Sequence, residues 1–155
     1  MKNLRILMLL LLLPGLALAG GPVAKKIHAH KVIRRTAVVI LTAHKKVKEN
    51  KNYTGDLARA INHQKFARKL YRRGMYLRAI HHSRYARLCA IKAIKANKGD
   101  ESAETKFTPE EEELMKNPPS EDALIQELTK EMPGESTKDE DAVSTAPDVD
   151  LGAKD

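Results

Sequence analysis

Apolar positions repeat with three rhythms along this chain. Ile6 to Leu13 is an unbroken apolar run, stopped by Pro14-Gly15. From about residue 23 to residue 97 the apolar positions return every three or four residues, the spacing of helices with one buried face. After residue 100 apolar residues are sparse, and after residue 135 no period is left.

The helical rhythm divides into three elements. Residues 23–49 place Ile27, Ile33, Ala37, Ile40, Leu41 and Val47 on one side, with His30 and His44, while His28 points away. The β-branched run Val38-Val39-Ile40 is strand-prone, but its flanks keep the longer period. The stretch NKNYTGD breaks the pattern, with Thr54 or Asp56 as the expected N-cap of the next helix. Residues 57–73 carry an inner stripe of Ala60, His63, Ala67 and Leu70, edged by Leu57, Gln64 and Tyr71. Gly74 fits the left-handed residue that closes a helix. The third helix, from about Tyr76 to Asn97, has a narrow stripe of Ala79, Ser83, Ala86, Ala90 and Ala93. Ile80 and Ile94 widen it on one side, His82 and Cys89 on the other.

In the remainder, Thr108-Pro109-Glu110-Glu111 is a helix start: a capping threonine, proline in the first turn and an acid three residues on. Ser120 caps a second short helix, in which Leu124, Ile125 and Leu128 form a small apolar patch. Helices this short need something to dock against. The expected fold is all-α: a small three-helix antiparallel bundle over residues 20–99, an acidic segment with two short helices over 100–134, and a disordered acidic tail over 135–155.

The segment GMYLRAIHHSRYA resembles the turn of a tetratricopeptide-type helical hairpin. Gly74, Tyr76, Ala79, Ile80 and Ala86 match that repeat's turn glycine, aromatic, small residues and aliphatic neighbour. The likeness covers about one repeat, residues 60–93. It departs at Ser83, where the repeat has an aromatic, at Ile91, where it has proline, and in the first helix, where His63, Phe66 and Ala67 stand in place of Trp and Leu-Gly. The resemblance implies a helical hairpin that binds a protein or peptide.

Charge divides the chain more sharply than hydropathy does. Residues 20–99 hold 21 Lys and Arg against two acids, Glu49 and Asp56; residues 100–155 hold 18 acids against five Lys. A compact domain with that much positive charge repels itself. A tethered acidic tail would screen the basic face and compete with outside polyanions, because tethering gives it a high effective concentration. Most cations fall on outer helix faces, and the candidate polyanion-binding set is Lys65, Arg68, Lys69, Arg72, Arg84, Lys95 and Lys98. The arginines between Arg72 and Ala90 are expected to project outward from a thin alanine core.

The first residues set the expected address. Lys2 and Arg5, the run Ile6–Leu13 and the small residues Ala17-Leu18-Ala19 form a secretory signal peptide over residues 1–19, cleaved near Ala19. An exported protein, periplasmic or secreted, has an acidic protein or an anionic surface such as lipopolysaccharide or membrane as its expected partner, rather than nucleic acid. A homodimer would enlarge the small core. Asn52-Tyr53-Thr54 matches a glycosylation acceptor in a loop.

Catalytic chemistry has little support. The basic half has no paired carboxylates, glycine-rich phosphate loop or nucleophile motif, and the reading is of a binding protein rather than an enzyme. With one cysteine there is no internal disulfide. The alternative is a metal site for Zn or Cu built from His44, His63, His82 and Cys89, donors that suit either ion. The plainer reading has these side chains filling polar gaps in the core, with Cys89 as a small buried apolar residue.

Overall fold

A computed structural model describes residues 21–145 and 151–152. The expected signal peptide and the last residues of the acidic tail lie outside the described residues. The described chain is all-helical: α1 (Pro22–Asn50), α2 (Asp56–Arg72), α3 (Tyr76–Ala96), α4 (Pro109–Glu113), α5 (Glu121–Glu131) and α6 (Asp139–Ser144), with a 3₁₀ turn at Ala103–Thr105. No helix among the described residues is long and apolar enough to cross a membrane.

The ends of the long helices follow local chemistry. Pro22 opens α1, where a missing N–H costs nothing. At the end of α2, Gly74 adopts φ 76°. Its amide donates to the Tyr71 carbonyl and the Met75 amide donates to the Leu70 carbonyl, a Schellman closure that suits glycine. Asn97 closes α3, its side-chain amide donating to the carbonyls of Ala93 and Asn52. Asn52 is held in turn, its side chain donating to the Ala96 carbonyl.

α2 packs on α3, and α1 packs on both. The main apolar cluster joins Ala37, Ile40, Ala43 and Val47 of α1 to Leu57 and Ala60 of α2 and to Ala86, Ala90 and Ala93 of α3. Small side chains at these positions let the backbones approach closely. A second cluster gathers Ala29, Val32 and Ile80, and a third Ile33, Phe66, Leu70 and Ala79.

Two assignments of facing change. Ile27 is exposed rather than inner. At about 100° per residue it lies well off the line of Ile33, Ala37 and Ile40, so its apolar character misstates its direction. Arg87, read as projecting outward, is fully buried. Its spacing from Ser83 and Ala90 puts it on the inner stripe.

The acidic segment lies along the long helices. Met115 joins the cluster of Ala29, Val32 and Ile80; Leu124 and Leu151 enter the main cluster; Leu128 and Met132 cover Phe66 and Leu70. Residues 135–155 were expected to lack structure, but α6 forms within them and contacts α2 and α1. The reason is tertiary: Ala142 and Val143 pack on the main cluster, and Asp139 is buried at the start of α2.

That start shows how the halves depend on each other. Neither Thr54 nor Asp56 caps α2; its N-cap is Gly55, which has no side chain to do so and adopts φ 79°. The carboxylate of Asp139 accepts instead from the amides of Thr54 (2.9 Å), Gly55 (2.8 Å) and Ala58 (2.9 Å). Helix starts leave such amides without intrahelical partners. A side chain at Gly55 would also meet the Thr137 carbonyl at 3.4 Å.

Candidate functional site

The basic faces of α2 and α3 are the track along which the acidic segment runs. Lys95 pairs with Glu101 at 2.5 Å and Lys92 reaches Glu121 at 4.0 Å. Arg78 forms an ion pair with Glu127. Glu131 takes Arg73 through its carboxylate (3.4 Å) and Lys69 through its carbonyl (3.2 Å). Glu135 meets Lys65 at 3.8 Å, and Asn62 donates to the Ser136 carbonyl at 2.8 Å.

Of the seven sequence-predicted cations, Lys65, Lys69 and Lys95 therefore touch the acidic segment directly. Arg68 lies beside Gly152. Arg84, expected on an outer face, is half-buried with its guanidinium 5.3 Å from the centre of the Phe107 ring. Arg72 and Lys98 are exposed and form no ion pair among the described residues. The seven do not converge on one pocket; they are spread along the path of the acidic segment.

One joint in that path is buried. Glu111 accepts from Arg87 through both oxygens (2.8 and 3.1 Å) and from Arg35 (2.7 Å). The same carboxylate accepts from the Thr108 amide at 2.8 Å, completing a capping box with the Thr108 hydroxyl. Burial pushes the Glu111 carboxyl up, but Arg87, the Thr108 amide and Arg35 together hold it below its ordinary range. Arg87 also donates to the Thr36 hydroxyl at 3.1 Å and the Val32 carbonyl at 3.3 Å. A guanidinium taken out of water needs this many partners.

Of the proposed metal ligands, the structure brings two together. His63 on α2 and His82 on α3 are fully buried and stacked, with Nδ1 to Nδ1 at 3.0 Å. At that distance one nitrogen carries a proton and the other accepts it. Phe66 and Tyr85 pack edge-on against the pair. Glu127 Oε1 approaches His82 Nε2 at 3.5 Å, too long for a well-formed hydrogen bond. Burial, then the neighbouring His82, lowers the pKa of His63 to about 3. Burial also lowers that of His82, against the pull of Glu127. Both rings are therefore neutral at pH 7.

His44 and Cys89 do not complete a site. Among the described residues no three His, Cys, Asp or Glu side chains gather as metal ligands. Cys89 is fully buried, and burial pushes its thiol up to about 11, so it is not a thiolate at neutral pH. Ser83 and Gln64 bond to each other at 2.9 Å. Gln64 also donates to the Ile33 and Leu151 carbonyls, both at 2.8 Å, and so ties α1, α2, α3 and the tail together.

Sequence reasoning missed Arg35, Arg78, Arg87, Glu127 and Asp139. Arg87 was legible from its place between Ser83 and Ala90. The others meet partners tens of residues away, and local spacing carries no sign of that. Compared with known proteins, the chain matches no family model, no curated protein and no solved structure.

Proposed function

We propose that this chain is an exported, non-enzymatic binding protein. Its basic domain, a small antiparallel three-helix bundle, engages an acidic protein or an anionic surface, and its acidic segment competes for that surface in cis. One observation carries the reading: Lys65, Lys69, Arg73 and Arg78 each meet an oxygen of residues 127–135. These pairs are partly exposed, and pairs at the surface contribute about 0–1 kcal/mol each. Such contacts are strong enough, when tethered, to shield the basic face. They are weak enough for a ligand of higher charge density to displace.

The test is the triple variant Glu127→Gln, Glu131→Gln, Glu135→Gln, with heparin as a soluble polyanion. Its affinity rises several-fold at low salt, and the gain shrinks as salt is added, since screening acts first on exposed charges. Affinity equal to that of the parent would remove the competition.

The second reading is a small metal-binding domain for Zn or Cu, favoured by the meeting of His63 and His82. It requires the Nδ1 contact to open and further ligands to be recruited. Melting the protein with excess Zn or Cu decides it, and an unchanged Tm would end that reading.

A further inference from the structure

α1 turns a long outer face to solvent. Val23, Ile27 and Val38 are 72, 51 and 43% exposed. At 100° per residue they share an arc of about 100° with Lys31, Arg34, Lys45 and Lys48. All four cations are exposed and form no ion pair among the described residues. The helix's one acid, Glu49, stands in its last turn at the edge of the same arc. Among the described residues Glu104 is the only carboxylate in a shallow groove lined with Lys31, Arg34, Arg35 and Val38. From Val23 to Lys48 the stripe runs about 37 Å at 1.5 Å per residue.

Branched alkyl groups among unpaired cations suit one kind of partner. A helix lying in a membrane interface sinks its alkyl groups to the boundary of headgroups and acyl chains, while its cations meet phosphates. Lysine and arginine stems reach upward from that depth. A soluble sulfated polymer would use the cations and leave the alkyl groups in water. A second copy would set like charges against like.

We propose that the outer face of α1 docks flat on an anionic lipid bilayer. This rests on the reading that the basic domain meets an anionic surface, and it names the surface and the face. The ion pairs of the acidic segment fall mainly on α2 and α3, and its 3₁₀ turn touches α1 and sets Glu104 at one edge of the stripe. Val23, Ile27, Lys45 and Lys48 stay exposed with that segment in place.

The test uses the chain from Gly20 to Asp155, which holds every described residue. Its sedimentation with vesicles of phosphatidylcholine, alone or mixed with phosphatidylglycerol, is measured beside heparin affinity and solution mass. The parent binds the mixed vesicles and not the neutral ones. Lys31→Gln, Arg34→Gln, Lys45→Gln together weaken vesicle binding at least about tenfold. Val23→Ser, Ile27→Ser, Val38→Ser together weaken it about tenfold and leave heparin affinity unchanged. Circular dichroism checks that helix content is kept; Ile27→Ser alone serves if the triple variant loses helix. Vesicle binding unaffected by the serine changes, or by the glutamine changes, overturns the proposal. So does a dimeric mass that the serine changes abolish. Heparin binding without vesicle binding overturns this proposal and leaves the broader reading standing; failure to bind either at low salt removes both.

Discussion

Glu111 and Glu131 both reach arginines of the basic helices, in opposite settings. Glu111 is buried, takes two guanidiniums and an amide, and is pre-set by its own capping box. Glu131 and its neighbour Glu135 sit at the rim, with partners at 3.4 and 3.8 Å that are partly in water. The same pair of residue types thus does two jobs. The inner joint fixes where the acidic segment starts across α1 and α3. The rim pairs guide it along α2 and exchange with water and ions.

The comparison breaks first at Glu111. Glu111→Ala leaves Arg87 buried without its carboxylate and costs about 3–5 kcal/mol of unfolding free energy. Chemical denaturation measures this; a loss below about 1 kcal/mol would mean that the joint is no stronger than the rim.

Acid tests the ground behind the rim. The folded pKa of His63, about 3, lies below its unfolded value near 6.5. The unfolded chain therefore takes up the proton first, and the stability present above pH 6.5 is lost as pH falls toward 3. Between pH 7 and pH 5 the loss from His63 is about 2 kcal/mol. His81 and His82, both lowered chiefly by burial, act in the same direction. Glu111 adds its share only below the ordinary carboxyl range, so pH 7 to 5 isolates the histidines. His63→Asn should make this limb shallower and leave the share of His81 and His82; an unchanged slope in that variant would assign it elsewhere.

Asp139 is the intermediate case, buried but bonded only to backbone amides. Asp139→Ala should cost about 1–2 kcal/mol, the range for a lost helix cap. Hydrogen exchange localises the effect: the first-turn amides of α2 should lose protection while α3 keeps its own. Equal loss in both helices would show that Asp139 holds the whole tail rather than one helix end.

The rim gives the smallest change. The triple glutamine variant at positions 127, 131 and 135 should lower Tm by no more than a few degrees, and the difference should vanish in high salt. A salt-independent loss would place these pairs with Glu111.

The sequence alone determined that the described residues are helical, and to within a residue or two where the long helices begin and end. Apolar spacing, Pro22, Gly74 and the box at Thr108–Glu111 are local signals, and local backbone chemistry answers to them. It also determined the opposition of charge between the halves. Spacing along the helix also held the facing of Arg87 and Ile27. Only tertiary structure decided that Arg87 meets Glu111, that His63 bonds to His82, and that Asp139 caps a helix more than eighty residues before it. Each depends on which surfaces meet. Burial makes a buried charge or imidazole seek whatever partner the fold brings near, and no spacing along one helix reports what stands on the next.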